Sequence, residues 1–232
     1  MSDGDEPSLA QAYSRWRASP LSEITERLEQ GLIFRLAGDL RGARVLDVGC
    51  GDGTYALGAW ERGAQAAGID ASAEQVAAAR ARVAGAGAEV ELLVARAESL
   101  PFADGAFDAV TAVTVLCFAR DATAALHEMA RVLRPGGRVV IGELGRWSLW
   151  AAWRRVRGML GARRWRDARF RTAGELAALA TGAGLRVERA EGAVFYPPIT
   201  LPARWCAAFD PTLGARTTVG AAFIAVRASK PR

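Results

Sequence analysis

The sequence predicts an α/β fold in which a parallel sheet carries helices on both faces. Three observations predict it. From Arg44 onward, short apolar runs alternate with amphipathic stretches of helical period. The first run, Val45–Val48, passes directly into a glycine cluster. The chain of 232 residues, 51% hydrophobic, is long enough to bury one sizeable core and too short for two comfortable domains. Strands that alternate with helices along a chain pair in parallel and leave neither sheet face to water.

A helical prefix comes first. Leu21, Ile24, Leu28, Leu32 and Leu36 recur at three- and four-residue spacing within a helical pattern from Leu9 to Leu36, with Pro20 as its expected break. After Val45–Val48, a helix from about Thr54 to Arg62 is closed by Gly63, and a second strand runs from Ala66 to Ile69. Ser72 with Gln75 three residues on forms a capping-box pairing that opens the next helix. Val90–Val94 and Asp108–Val115 read as the third and fourth strands. Asp121 caps a helix ending near Leu133, Arg134–Gly137 turns the chain, and Arg138–Glu143 is a fifth strand. Thr172 with Glu175 makes another capping box, and the last strands are placed near Leu185–Arg189 and Val219–Arg227.

Composition removes several function classes. Cys50, Cys117 and Cys206 are odd in number without CxxC spacing, and His127 is the only histidine, so a disulfide scaffold or a zinc site is not expected. No apolar run approaches the roughly 18 residues of a membrane span, and the acidic start Met1–Glu6 does not resemble a signal peptide; a cytoplasmic location is expected. The net charge of +5 is unevenly spread. Nine arginines between Arg146 and Arg171 face a single acid, Asp167, which leaves the remainder of the chain at about −3.

In Val45-Leu46-Asp47-Val48-Gly49-Cys50-Gly51-Asp52-Gly53-Thr54, three alternating glycines separate a strand from a helix. Without Cβ atoms the backbone can approach a ligand, and a helix start offers unpaired N–H groups that suit an anion. Gly51-x-Gly53-x-x-Ala56 also satisfies the dinucleotide fingerprint, so a nicotinamide or flavin enzyme is one reading. Asp70, about 20 residues past the loop, is placed to accept from both hydroxyls of a ribose, whether of a dinucleotide or of another adenosine ligand.

Taken with Gly68-Ile69-Asp70, Ala97-Glu98-Ser99-Leu100-Pro101-Phe102, Phe107-Asp108-Ala109-Val110 and Arg131-Val132-Leu133-Arg134-Pro135-Gly136-Gly137, the segment from Arg44 to Glu143 closely resembles class I S-adenosylmethionine (SAM)-dependent methyltransferases of the ubiquinone/menaquinone-biosynthesis type. The resemblance implies a Rossmann-like, mostly parallel seven-stranded sheet, and SAM as methyl donor. It implies that Gly49, Cys50, Gly51 and Gly53 line the methionine part, with Asp47 ordering the loop. Asp70 would hold the ribose beside Ala71, Ala97 and Glu98 would border the adenine, and Val113 and Thr114 would lie near the sulfonium. Where the family commonly has an aspartate before the Ala-Glu pair, this chain has Arg96, which can only donate; adenine recognition there is expected to rest on backbone. Tyr13 or Arg17, in a stretch resembling the helix that covers the cofactor in relatives, could reach the methionine carboxylate. By the same resemblance the chain divides into a helical cover (1–40), a SAM-binding core (41–145), a basic lid insert (146–171) and a completing segment (172–232).

A sulfonium methyl is already electrophilic, so alignment and water exclusion carry most of the catalysis. A hydroxyl acceptor would need a general base, whereas a thiolate or free amine would not. Glu143, ending the fifth strand, is the first candidate base, with Tyr55 as an alternative; His127 reads as a surface residue and Cys117 as a small buried one. In the insert, Leu149, Trp153, Val156 and Leu160 share a helical face, Arg154, Arg155 and Arg157 point elsewhere, and Trp147, Trp150 and Trp165 flank them. The first expectation is a lid whose apolar stripe packs on the core. The second is that its arginines meet an anionic substrate or membrane surface, and the third is nucleic-acid contact. The expected partner is a small-molecule acceptor, aromatic, apolar or anionic, with an RNA or protein methyltransferase, a NAD-dependent oxidoreductase and a non-catalytic SAM-binding protein as alternatives.

Overall fold

The computed structural model describes residues 19–162, 165–166 and 168–232. Its first described helix, α1 (Pro20–Ala37), begins at the proline expected to break it: Pro20 occupies the first turn, and the Ser19 hydroxyl accepts from the Ser22 N–H. A proline there gives up an N–H that has no helical partner anyway. The sheet strands are β1 (Arg44–Val48), β2 (Gln65–Asp70), β3 (Val90–Val94), β4 (Phe107–Val113), β5 (Leu133–Leu144), β6 (Arg186–Ala193) and β7 (Phe223–Ser229). Between them lie α2 (Thr54–Trp60), α3 (Ala73–Gly85), α4 (Ala122–Val132), α5 (Leu149–Met159), α6 (Ala173–Gly182), α7 (Thr200–Cys206) and α8 (Asp210–Gly214).

The seven strands lie in the order β3-β2-β1-β4-β5-β7-β6. The first five pair in parallel, while β7 runs antiparallel to both β5 and β6. The dinucleotide-binding order of this fold class has no such antiparallel strand wedged before the last one. The two principal apolar clusters occupy opposite faces. Leu46, Val110, Ile141 and Val226 point toward α4 and α6. Val45, Ala109, Val140 and Ala225 point toward α1 and α2. This alternation of neighbouring residues is what a strand buried on both faces requires.

Local capping chemistry sets the helix starts. Ser72 accepts from the Gln75 N–H, Asp121 from the Thr123 and Ala124 N–H groups, and Thr172 and Glu175 cap one another reciprocally. Several strand ends differ from expectation, and β6, expected to end near Arg189, runs on to Ala193 in its pairing with β7. β4 stops at Val113 because Thr114 turns into the left-handed region at φ 53°, and β7 starts at Phe223 because Gly220, at φ 87°, turns the chain after an exposed Val219. The expected turn at Arg134–Gly137 lies inside β5, where the pairing with β4 shifts register.

Candidate functional site

The glycine loop leaves β1 at the carboxyl end of the sheet, beside the tips of β2 and β4. Gly49, Gly51 and Gly53 all adopt positive φ (67°, 53° and 84°). A Cβ on Gly49 would lie 2.4 Å from Val115 Cγ2, and one on Gly53 would lie 3.1 Å from Ala79 Cβ, so both sites are closed by packing. Gly51 differs: a Cβ there would meet only Gln75 Oε1, at 4.0 Å. The ground in front of Gly51 is therefore open, and this is where a ligand can approach the backbone.

Asp70, at the tip of β2, holds that loop in place. Its Oδ2 accepts from the Gly51 N–H at 3.0 Å and its Oδ1 accepts from the Ser72 N–H at 2.8 Å. Each carboxylate oxygen keeps a further lone pair for a hydroxyl. Ala71 beside it is exposed. Asp47 lies beneath the loop, almost fully buried, its Oδ1 accepting from the Thr111 hydroxyl at 2.8 Å while Oδ2 has no hydrogen-bond partner among the described residues. Burial pushes the Asp47 carboxyl up to about 7, the Thr111 hydrogen bond opposes the rise, and Asp70 and Asp52 add to it.

Cys50 does not face the open side. Its side chain is buried with Val76, Ala79, Val83 and Leu92 behind the loop, and burial raises its thiol pKa strongly. Glu98 is also engaged internally: its carboxylate accepts from the Arg120 N–H at 3.0 Å and lies 3.2 Å from the Arg96 guanidinium. Partial burial opposes the charge of Glu98, but backbone N–H groups and Arg96 hold it below the usual range. Arg96 is thereby turned toward Glu98, and Ala97 is buried. Val113 and Thr114 sit beside the loop; the Thr114 N–H donates to the Gly142 carbonyl at 2.7 Å, and Val115 packs on Gly49. A β-branched residue at positive φ costs roughly 1–2 kcal/mol, strain of a kind that gathers at functional sites. Tyr13 and Arg17 lie outside the described residues.

Glu143 corrects an expectation. It is fully buried, with Oε1 accepting from the Leu116 N–H at 2.6 Å, and Oε2 has no hydrogen-bond partner. Burial raises its carboxyl to about 7, opposed by the positive field of Arg171 and by contacts from Cys117. It braces the turn after β4 from below and does not present a base to the open side. Tyr55 packs its ring 6.0 Å from that of Phe34, and His127 is exposed on α4.

Asp47 and Glu143 make stability depend on pH. Both carboxyls are raised in the folded state above their ordinary values, so the native protein binds more protons than the unfolded chain between those limits. Stability is therefore fully present at acidic pH and falls as pH rises through about 7. Unfolding free energies from urea titrations should drop between about pH 4 and about pH 7 by an amount on the order of a few kcal/mol. Asp47→Asn with Glu143→Gln should flatten that slope; an unchanged slope contradicts the burial argument.

The acid–base candidate that sequence reasoning missed is Glu29. Arg138 at the base of β5 donates to the carbonyls of Ala37 and Asp39, while a Cβ on Gly142, near the strand's carboxyl end, would come within 2.8 Å of Ile33 Cδ1. α1 thus runs antiparallel to β5, and Glu29, one turn before Ile33, lies beyond the strand tips. Thr25, one turn further, shares a 3.0 Å hydrogen bond with the Tyr196 hydroxyl, and the Trp150 indole donates to the Tyr196 carbonyl at 2.8 Å. Arg154 of α5 stacks between the rings of Trp150 (5.1 Å) and Trp165 (4.9 Å). Burial pushes the Glu29 carboxyl up to about 8, Arg154 opposes this and Glu26 reinforces it. The available signal was a carboxylate in an inward row with Thr25 and Ile33.

The insert packs the other way round from the first expectation. Trp150, Ala151 and Gly158 are the buried side of α5, because the Trp150 indole is drawn onto Tyr196. The predicted stripe of Leu149, Trp153, Val156 and Leu160 faces outward together with Trp147, and Arg157 lies 4.9 Å over the Trp153 ring.

This sheet order, with the open glycine loop tethered to an acidic residue on the neighbouring strand tip, defines a class I methyltransferase fold. At a TM-score of 0.73 and 24% identity, covering 96% of each chain, the structure resembles a SAM-dependent methyltransferase, possible histamine N-methyltransferase, from Thermotoga maritima. It also resembles the [4+2]-cyclase SpnF, with a TM-score of 0.60, 22% identity and 98% and 85% of the two chains covered, so the fold alone leaves the reaction open. Residues 46–141 match the family described as Methyltransferase domain. Similar proteins include Methyltransferase GfsG of Streptomyces halstedii, 42% identical over 130 residues (54% of this chain, 46% of the relative). The Ubiquinone biosynthesis O-methyltransferase of Alkalilimnicola ehrlichii is 37% identical over 141 residues (58% and 57%). The chain spans about half the length of these curated relatives.

Proposed function

We propose that the protein is a SAM-dependent methyltransferase acting in the cytoplasm on the hydroxyl of an apolar or aromatic small molecule. The observation that carries this reading is the open backbone at Gly51, tied to Asp70 in a sheet whose antiparallel β7 departs from the dinucleotide-binding order. The hydroxyl acceptor is suggested by the O-methyltransferase names of relatives such as that of Alkalilimnicola ehrlichii.

The residues fit the donor: among the described residues a Cβ at Gly51 would meet only the Gln75 side chain, at 4.0 Å, and Asp70 keeps lone pairs for a ribose diol. When bound, SAM supplies a methyl group on a sulfonium. Asp70 orients the nucleoside, Asp47 and Thr111 fix the loop from below, and Thr114 ends β4 beside it. Residues 146–171 act as the acceptor lid, with Trp150 and Arg154 on its inner side and Glu29 opposite, placed to hold the proton that a hydroxyl releases. Calorimetry should show binding of SAM and S-adenosylhomocysteine and none of NAD; the reverse preference would replace this reading with an oxidoreductase.

A further inference from the structure

We propose that the outward face formed by α5, α7 and α8 docks this protein on an anionic lipid surface. On α5 the outward residues are Leu149, Trp153, Val156, Met159 and Leu160, the last 81% exposed. A second row runs along α7 and the turn into α8: Leu201, Trp205 and Phe209, spaced four residues apart, with the two aromatics each 75% exposed. The buried sides of the two helices, at Trp150 and Ala203, join one apolar cluster with Tyr196, so both rows turn away from a shared seam. Exposed tryptophans in such rows, with short helices lying along the surface, are what the interfacial layer of a bilayer accommodates.

Charge selects the occupant. Arg155 and Arg157 flank the first row, and Arg204 and Arg216 flank the second; all four are exposed. Within 146–171 and 195–221 the only acids are Asp167, outside the described residues, and Asp210. Asp210 is buried, accepting from the Val194 and Phe195 N–H groups at 2.9 Å. Glu23 of α1 is an exposed carboxylate at the edge beside Arg204, where Arg27 lines the same pocket. The face thus stays net cationic and complements anionic headgroups, while its arginines can lay their stems along the apolar rows. A second copy would bring the same cations face to face, which opposes self-association. The aliphatic residues Leu149, Val156, Leu160 and Leu201 offer nothing to a nucleic-acid phosphate, but they insert readily among acyl chains. Docking needs no methyl donor; only its consequence, that the lid opens toward lipid and receives a lipid-soluble acceptor, rests on the methyl-transfer reading.

The test is flotation of the whole protein with vesicles of phosphatidylcholine, with and without phosphatidylglycerol. Binding should be at least about tenfold stronger with phosphatidylglycerol, should weaken as salt is raised, and should shift tryptophan emission to the blue. The double variant Trp205→Ala, Phe209→Ala should lose about tenfold or more, and Arg204→Glu about fivefold or more. These positions are exposed, so unchanged thermal unfolding and S-adenosylhomocysteine binding should separate lost docking from misfolding. No flotation with either vesicle, a double variant that floats like the parent, or a dimer that shields the tryptophans without lipid would each overturn the proposal.

Discussion

Asp70→Ala should weaken S-adenosylhomocysteine binding by roughly ten- to hundredfold, since hydrogen bonds to a charged acceptor contribute about 1.5–3 kcal/mol and the ribose diol would lose its acceptor. The same carboxylate accepts from the Gly51 and Ser72 N–H groups, so two effects are combined in the alanine variant. Asp70→Asn separates them. Its single carbonyl oxygen can still accept one backbone N–H, which preserves part of the loop tether, but it lacks the charge and the second acceptor. Titration calorimetry should therefore rank the parent above Asn and Asn above Ala, with the ligand-free thermal midpoint changing much less in Asn than in Ala. If Asp70→Ala binds within twofold of the parent, the nucleoside is held elsewhere.

Features built from near neighbours in the chain were readable in advance. The Thr172–Glu175 capping box, the Asp121 cap and the Val45–Val48 strand each depend on residues within about one turn or one strand, where periodicity and hydrogen-bond chemistry act directly. The same holds for the three left-handed glycines, because alternating glycines between a strand and a helix have few other uses. Long-range pairing was less accessible. Nothing local distinguishes β7 as the strand that inserts antiparallel between β5 and β6. Nor did the apolar stripe of α5 reveal its direction: one hydrogen bond from Trp150 to the Tyr196 carbonyl, 46 residues away, rotates that stripe outward. Glu29 takes the place of Glu143 as the proposed base for a related reason. Position at a strand end suggested that Glu143 reaches the site, yet the turn after β4 folds over it and the Leu116 N–H engages it. Glu29 reaches past the strand tips only because α1 crosses the sheet antiparallel to β5.

That exchange leads to an expected rate effect. If Glu29 takes the hydroxyl proton, Glu29→Gln should lower turnover by about 100-fold or more, the usual scale of lost general-base catalysis, while S-adenosylhomocysteine affinity stays near that of the parent. The groups whose fields bear on Glu29 are Arg154 on the lid and Glu26 on its own helix, and Tyr196 lies near enough to feel its charge. Burial holds the Glu29 carboxyl up to about 8, so the base form grows as pH rises. Turnover should climb toward about pH 8 and level off, whereas the stability set by Asp47 and Glu143 falls over the same range. Glu29 is only partly buried and, raised in the same direction, adds to that fall in stability, so the pH profile of turnover is what separates it from Asp47 and Glu143. Glu143→Gln should leave the pH profile of turnover in place, and Glu29→Gln should remove its rise. Removing Arg154 by Arg154→Met should move the rise to higher pH, since the guanidinium favours the charged carboxylate. A profile that keeps its rise in Glu29→Gln would assign the proton to another group or to an acceptor that needs no base.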